Sequence, residues 1–259
     1  MKLYRLFPLA VLAVTFLVAS SGWALKEDCG PYPNKPPKPA KKVNKEDPNV
    51  QNDYDQVVPE DTRKGVTYLT FINGDQPKPN ACGLNPKNDP NEWTGWGGPL
   101  NADNMTIGEG PGTRNEIVIG GVYFERGIGT HAVAKIVYDL TGGDWVKFEG
   151  YVGMADEKDP AECGHGGSCV FVFYVDGKEV FRSDVLRGTE GGKNVPPVKV
   201  ELDVSGAREL TIEILDGGDG IGCDHGAIGD AKLLTAAAFA VDPRGKLSTS
   251  WGAIKSLYR

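Results

Sequence analysis

The feature that most constrains the fold is a series of short runs of β-branched and aromatic residues between Val66 and Leu234, each bounded by Gly, Asp or other turn-forming residues. Runs of this kind are typical of β-strands, and no window of this span shows a convincing helical period. The predicted strands are Val66–Ile72, Glu116–Ile119, Val133–Leu140, Trp145–Val152, Val170–Val175, Lys178–Arg182, Val198–Val204 and Arg208–Leu215. Many short strands at a spacing of about 8–12 residues predict a β-sandwich or a barrel.

The clearest turn in the sequence is Asp176-Gly177, which lies between the predicted strands Val170–Val175 and Lys178–Arg182. A two-residue type I′ turn needs a positive φ angle at both positions, and Asp-Gly tolerates this conformation. We therefore expect a β-hairpin here, within one all-β domain over residues 66–235. A domain of roughly 170 residues is long enough to bury a full core.

Residues 1–24 have the features of a secretory signal peptide. Two basic residues, Lys2 and Arg5, precede the apolar run Leu6–Val18, and small residues occupy positions just before Leu25. The apolar run is shorter than the ~20 residues of a membrane-spanning helix. We expect cleavage before Leu25 and a secreted or cell-envelope location, with an uncleaved N-terminal anchor as the alternative.

The segments on either side of the predicted domain differ from it in composition. Residues 25–65 are rich in Pro and Lys and have few residues that could bury apolar surface, which predicts a disordered linker. Residues 236–259 are amphipathic at helical spacing. One face of that helix would carry Leu247, Trp251, Ile254 and Tyr258. We expect a short C-terminal helix that packs on the sandwich or, alternatively, docks on a partner at the cell surface or envelope.

All five cysteines follow the signal segment and would be exported, which favours disulfides. Cys163 and Cys169 are close enough in sequence to close a short loop, and Cys82 could reach Cys223. Cys29 is then left over in the linker, either free or able to cross-link two chains. This reading is favoured over a metal or catalytic role, because the sequence contains no C-x-x-C pair.

Charge excludes one class of partner. The net charge of the chain is −7, and it becomes more negative when the basic signal segment is removed. A chain this acidic is not drawn to phosphate backbones, so nucleic acid is a poor candidate partner. The same acidity suits cation binding.

Three aspartates lie close together in the segment 216–225, which we call the acidic loop. Asp216, Asp219 and Asp224 are interleaved with four glycines, which allow the backbone to turn sharply so that oxygen atoms converge. Ca²⁺ takes about 6–8 oxygen ligands in flexible geometry. The three aspartates are therefore candidate calcium ligands, although the spacing is not that of an EF-hand. The alternative is that the aspartates cap turns through nearby backbone amides.

Four further residues are candidates for ligand binding. His131 lies just before a predicted strand, and His225 closes the acidic loop. Three histidines far apart in the chain do not form a zinc site, so we expect a structural or ligand hydrogen-bonding role for both. Trp93 and Trp96 lie in a loop rich in Gly and Pro. An indole there either stacks on a sugar ring or fills the core.

Signals for catalysis are weak, and we do not expect an enzyme. The sequence contains no Gly-x-Ser-x-Gly elbow, no His-Glu-x-x-His motif and no phosphate-binding loop. A glycosidase needs two carboxylates at a fixed separation across a cleft. Pairs such as Asp156 and Glu157 exist, but their separation in space is not readable from the sequence.

Several motifs occur in the same order and spacing as in a known family. The segments are Gly127–Ala132, Ile136–Leu140, Phe148–Gly153, Val170–Lys178, Ser183–Gly188 and Asp216–His225. On these segments, residues from about Tyr68 to Leu234 resemble the NPCBM/NEW2 domain, which is grouped with family 51 of the carbohydrate-binding modules. The resemblance implies a jelly-roll-like β-sandwich of the galactose-binding-domain type, a bound Ca²⁺ in some members and galactose-type sugars as ligands.

Sites of this sandwich type lie on loops at one end of the fold. The resemblance therefore implies that sugar-binding residues are to be sought among Trp93, Trp96, His131, Asp224 and His225. The metal ligands would be Asp216, Asp219 and Asp224. Two departures from the family pattern bear on this expectation. The aromatic residue of the family is replaced by Ile228, so sugar stacking is not expected at that position. In addition, the loop from Asn73 to Gly112 is long and contains a cysteine, and Asp159–Gly167 is insertion-like and carries the first cysteine of the pair Cys163 and Cys169.

These observations predict a secreted, non-catalytic carbohydrate-binding module, assisted by Ca²⁺, whose partner is a glycan or glycoconjugate. The first alternative is a structural or protein-interaction module on the cell surface. A secreted hydrolase is a weaker alternative.

Overall fold

The computed structural model describes residue 54 and residues 56–69, 83–93, 101–102, 116–156 and 165–240. The strands are β1 Gln56–Val58, β2 Val66–Tyr68, β3 Asn101–Ala102, β4 Ile117–Ile119, β5 Val122–Phe124, β6 Gly127–Gly129, β7 Ala134–Asp139, β8 Trp145–Met154, β9 Ser168–Val175, β10 Lys178–Arg182, β11 Leu186–Arg187, β12 Thr189–Glu190, β13 Lys193–Asn194, β14 Val198–Asp203, β15 Glu209–Asp216 and β16 Gly226–Thr235. The helical elements of this part of the chain are two single 3-10 turns, Pro90–Glu92 and Ala236–Phe239. No helix among the described residues is long and apolar enough to cross a membrane.

Two antiparallel sheets face each other across the main core, which confirms the predicted all-β sandwich. One sheet has the strand order β14-β8-β16-β6-β3, with β2 also paired to β16. The other has the order β10-β9-β15-β7, with β11 beside β9. Aromatic and aliphatic side chains from both sheets fill the space between them, and the rings of Phe148 on β8 and Phe173 on β9 lie 5.3 Å apart. Burial of this apolar surface is the main source of stability.

A third, three-stranded sheet with the order β1-β5-β4 accompanies the sandwich. A second apolar cluster joins it to β16 and includes Ile117, Phe124 and Ala227. Every residue of β16 is buried, because Ile228 faces the main core and Ala227 faces this second cluster. The sequence did not predict β16, since a strand buried on both faces shows no alternation of polar and apolar residues.

The folded part begins upstream of Val66, where the sequence placed the end of a disordered linker. Strand β1 lies within that segment and pairs in parallel with β5. Asp61 forms an ion pair with the buried Lys232 of β16, with an N–O distance of 3.0 Å. The backbone N–H of Asp61 also donates a hydrogen bond to the hydroxyl of Tyr68. The pKa of Asp61 lies well below its usual range, first because of its hydrogen bond with Arg63. These contacts attach residues 56–63 to the sandwich.

The strands predicted from residue 116 onward agree closely with the structure, and β10 has the predicted bounds. The turn before it is also as predicted, with φ angles of 49° at Asp176 and 77° at Gly177. The signal segment, most of the linker and the tail helix at residues 247–258 lie outside the described residues.

The predicted disulfide between Cys163 and Cys169 is wrong, because Cys169 is a free, buried thiol. Cys169 faces the main core with Phe171 and Phe173, at alternate positions along β9. Burial raises the pKa of the Cys169 thiol well above its usual value. Short sequence spacing suggested a loop, but the alternation of the strand decides where the thiol points. Cys223 is disulfide-bonded to a cysteine outside the described residues, so its pairing with Cys82 remains a prediction.

Candidate functional site

Three loops meet at one end of the five-stranded sheet, which we call the loop end. They precede β7, precede β9 and follow β15, and the antiparallel register brings them together. Asp216 at the end of β15 lies opposite Cys169 at the start of β9, and Ile214 lies opposite Ala134 at the start of β7. The loop end therefore gathers His131, the acidic loop and the segment His165–Ser168.

Asp224 lies at the centre of the loop end and is only 1% exposed. Its Oδ1 accepts a hydrogen bond of 2.8 Å from the backbone N–H of Ser168, and its carbonyl oxygen accepts one from Ala132. Its Oδ2 is buried without a hydrogen-bond partner among the described residues. Burial raises the pKa of Asp224 to about 6, and the charges of Asp219 and Asp216 add to the effect. The site thus contains a carboxylate oxygen that still requires a donor.

His131 and His225 pack against each other beside Asp224. Their rings meet edge to face with centroids 5.0 Å apart, and both residues are buried. The Nδ1 atom of His131 lies 2.6 Å from the carbonyl oxygen of Ala132. The structure thus brings together three of the predicted binding residues, although 94 positions separate the two histidines in the sequence. Their burial suits a role in joining the loops.

Asp219 and Asp216 are more exposed than Asp224, and both accept hydrogen bonds from the protein. Asp219 Oδ1 accepts from Ser168 Oγ at 2.8 Å, and Asp219 Oδ2 lies 2.8 Å from His165 Nε2. Asp216 Oδ1 accepts from the backbone N–H of Gly218. The hydrogen bond from Ser168, followed by that from His165, holds the pKa of Asp219 below its usual value. Sequence reasoning missed Ser168 and His165. His165 lies in the segment Asp159–Gly167, which departs from the family pattern, and Ser168 gave no signal of its own.

The predicted calcium site can be compared with the described residues. Among them, no group of three or more His, Cys, Asp or Glu side chains is arranged to hold a metal ion. Both carboxylate oxygens of Asp219 face protein donors, and Asp216 and Asp224 each use one oxygen in the same way. Asp224 Oδ2 is the remaining buried oxygen without a partner in this part of the chain. Calcium stays a prediction made from the sequence.

Trp93 fills the core, which was one of its two predicted roles. Its side chain is buried in the main cluster, and its Nε1–H donates to Asn88 Oδ1 at 3.0 Å. Its carbonyl oxygen accepts a hydrogen bond from the Thr130 hydroxyl, which fixes the loop that leads into His131. Trp96 lies outside the described residues. Ile228 is wholly buried in the main core, so in this chain the position is a packing site.

A shallow cavity of about 440 Å³ lies at the opposite end of the five-stranded sheet. Its lining is charged and includes the exposed ion pair between Lys87 and Glu209, with an N–O distance of 2.6 Å. No aromatic side chain lines it, and none of the predicted site residues does. The predicted site residues that the structure brings together, His131, Asp224 and His225, lie at the loop end instead.

Comparison with known proteins gives one family. The NPCBM/NEW2 domain family matches residues 84–234, more than half of the chain. A Renibacterium salmoninarum protein that bears the name of an endo-alpha-N-acetylgalactosaminidase is 25% identical over 146 residues, which are 56% of this chain and 9% of that protein. The chain thus spans about a tenth of the length of this curated relative.

Two solved structures from Clostridium perfringens are also similar to the chain. A CBM51 module in complex with methyl-galactose is 36% identical, with a TM-score of 0.45, and the match covers 54% of this chain and 90% of that one. A structure that contains a second CBM51 module in complex with GlcNAc is 26% identical, with a TM-score of 0.43, and the match covers 52% of this chain and 27% of that one.

Proposed function

The chain belongs to the NPCBM/NEW2 domain family, a family of carbohydrate-binding modules, and we propose that it binds glycans through the loop end of its sandwich. In this proposal the protein is secreted or held at the cell envelope and does not catalyse a reaction. The family match over residues 84–234 is the observation that carries the proposal. The arrangement of Asp224 and its neighbours at the loop end also supports the proposal.

Asp224 supplies the main polar group of the proposed site. Its Oδ2 has no donor among the described residues, and buried polar atoms in proteins are nearly always hydrogen-bonded. A sugar presents many hydroxyl donors. Because Asp224 is almost wholly buried, the donor is either a ligand hydroxyl that enters the site or a bound water that the ligand contacts in turn.

The other candidate residues divide into a floor and a rim. His131 and His225 are buried and form the floor, where they hold the loops around Asp224. Asp219 and His165 are exposed enough to meet a ligand at the rim. Trp96 is proposed as the flat apolar face on which a sugar ring stacks, since an indole combines such a face with a polar N–H.

A glycan array tests the proposed function directly. Galactose- and GlcNAc-terminated glycans are the first probes, because methyl-galactose and GlcNAc are the sugars held by the two solved relatives. We expect the folded chain to bind at least one glycan class on the array. Failure to bind any glycan, with folding verified, would instead favour a structural or protein-interaction module.

A further inference from the structure

The acidic loop is held in place by a neighbouring segment, His165–Ser168. Ser168 uses three groups for this purpose: its backbone N–H donates to Asp224 Oδ1, its hydroxyl donates to Asp219 Oδ1, and its carbonyl accepts from the Gly217 N–H at 3.1 Å. His165 adds a contact of 2.8 Å between its Nε2 and Asp219 Oδ2. Two of the three aspartates of the loop are thus fixed by donors from this one segment.

The same segment is fixed on its other side by residues 188–189. The backbone N–H of Thr189 donates to the His165 carbonyl at 2.7 Å, and that of Gly188 donates to the Gly167 carbonyl at 3.2 Å. Gly167 has a φ angle of +79°, and a Cβ atom there would overlap the carbonyl of Cys223 in the acidic loop. The segment therefore packs closely against the acidic loop at Gly167, where a side chain could not be accommodated.

The ring of His165 has acceptors on both sides. Its Nδ1 lies 2.9 Å from the Gly167 carbonyl oxygen, and its Nε2 lies 2.8 Å from Asp219 Oδ2. The ring thus contacts Asp219 Oδ2, while the Ser168 hydroxyl donates to Asp219 Oδ1. Both oxygens of this carboxylate are therefore occupied by protein groups, where a bound cation would otherwise need them as ligands.

We propose that His165, together with Ser168, takes the place of a bound cation in this protein. The acidic loop then keeps its conformation without Ca²⁺. Ca²⁺ could gain the oxygens of Asp219 only by displacing His165, because both of those oxygens already have donors. Removal of the His165 imidazole frees one oxygen of Asp219, and the buried Oδ2 of Asp224 already lacks a partner among the described residues. With these two oxygens free, the loop becomes responsive to Ca²⁺.

Thermal melts and calorimetric titrations with Ca²⁺ at one fixed pH test this proposal on the full chain. We expect the melting temperature of the wild type to be the same in Ca²⁺ and in EDTA. His165→Ala should melt lower in EDTA and regain about 5–10 °C when free Ca²⁺ is roughly a hundredfold above its dissociation constant. The double variant His165→Ala/Asp219→Asn should show no rise in melting temperature on addition of Ca²⁺, because an amide has replaced the carboxylate that the first substitution freed.

Arg182→Ala is the matched control, since it breaks an exposed ion pair with Glu179 on β10, away from the loop end. It should show no response to Ca²⁺. The proposal is overturned if Ca²⁺ stabilises the metal-free wild type as much as His165→Ala, or if His165→Ala gains nothing from Ca²⁺. No glycan enters these measurements, so their outcome is independent of the proposed carbohydrate binding.

Discussion

Single carboxylates decide much of the chemistry near the C-terminal end of β8, which lies beside the start of β16. Asp224 lacks a donor for one oxygen, whereas Asp156, just after β8, has donors for both. The backbone N–H groups of Gly120 and Gly121 donate to the two oxygens of Asp156 at 2.9 and 2.7 Å. Burial nonetheless raises the pKa of each carboxyl to about 6. Asp156 thus has both oxygens hydrogen-bonded to the turn at Gly120 and Gly121, whereas one oxygen of Asp224 has no donor among the described residues.

Because its pKa is raised, Asp156 should make the stability of the protein depend on pH. Its folded pKa of about 6 lies above the usual value of 3.8, so its contribution is fully present below about pH 4 and is lost as pH rises through 6. A shift of roughly two units corresponds to about 3 kcal/mol. Asp156→Asn removes this contribution, so the stability difference between wild type and variant should be about 3 kcal/mol larger at pH 4 than at pH 7. Urea unfolding of both proteins at several pH values measures it, and parallel pH profiles would refute it.

A second prediction concerns the role of His131. Because the ring is buried against His225 and lies beside the Ala132 carbonyl, His131→Ala should lower the free energy of unfolding by about 1–3 kcal/mol. The glycan affinity of the folded variant should change little, since the buried ring contacts His225 and the Ala132 carbonyl and joins the loops of the proposed site. Melting curves and binding titrations on the same sample separate the two roles. A variant that keeps its stability but loses affinity would place the imidazole against the sugar.

The sequence identified the three aspartates and two of the histidines of the loop end, His131 and His225, but not how they are held. Asp216, Asp219 and Asp224 stood out because carboxylates among glycines are conspicuous. Ser168 was missed because a serine at the start of a strand gives no signal of the two aspartates that it binds. The contact between His131 and His225 depends on tertiary structure, so no local pattern predicts it.

Strands with one face toward the core were predictable, and strands with two buried faces were not. β15 alternates along its length, and its predicted bounds differ from the observed Glu209–Asp216 by one residue at each end. β16 contains two glycines, an Asp and a buried Lys, and its central place in the six-stranded sheet depends on partners on both faces. β1 was hidden because three residues before a proline are too short to show a pattern. Strands that are very short, or that do not alternate between polar and apolar residues, therefore could not be predicted from the sequence.

The packing of β16 against the third sheet can be tested at Gly229. A Cβ atom at this position would overlap the ring of Phe124 on β5. Gly229→Ala should therefore lower stability by about 1–3 kcal/mol, the usual cost of overpacking. That corresponds to a fall in melting temperature of roughly 2–4 °C per kcal/mol for a domain of this size.

Gly222→Ala is the control for this prediction, because a Cβ atom there meets nothing within 4 Å. Its melting temperature should stay close to that of the wild type. Equal melting temperatures for the two variants would show that the third sheet does not press on β16 as described.

On the scale of the whole molecule, the two ends of the five-stranded sheet differ in character. The loop end holds an incomplete buried carboxylate and two packed histidines. The opposite end has a shallow charged cavity in which Lys87 and Glu209 already pair with each other. The two packed sheets, together with the third sheet on β16, form a rigid scaffold for the loops at both ends. Binding residues are often found on loops that a rigid scaffold positions. This asymmetry is the reason why we propose glycan binding at the loop end.

The most direct test of that assignment is glycan binding by the wild type and by two matched variants. Asp224→Asn changes the carboxylate at the loop end, and Asp139→Asn changes a carboxylate that lines the cavity at the opposite end. We predict that the wild type and Asp139→Asn bind the same galactose- or GlcNAc-terminated glycan equally well. Asp224→Asn, shown to be folded, should bind it roughly 5–150-fold more weakly, the cost of a lost buried hydrogen bond. Equal binding by all three proteins, or loss in Asp139→Asn alone, would contradict a site at the loop end.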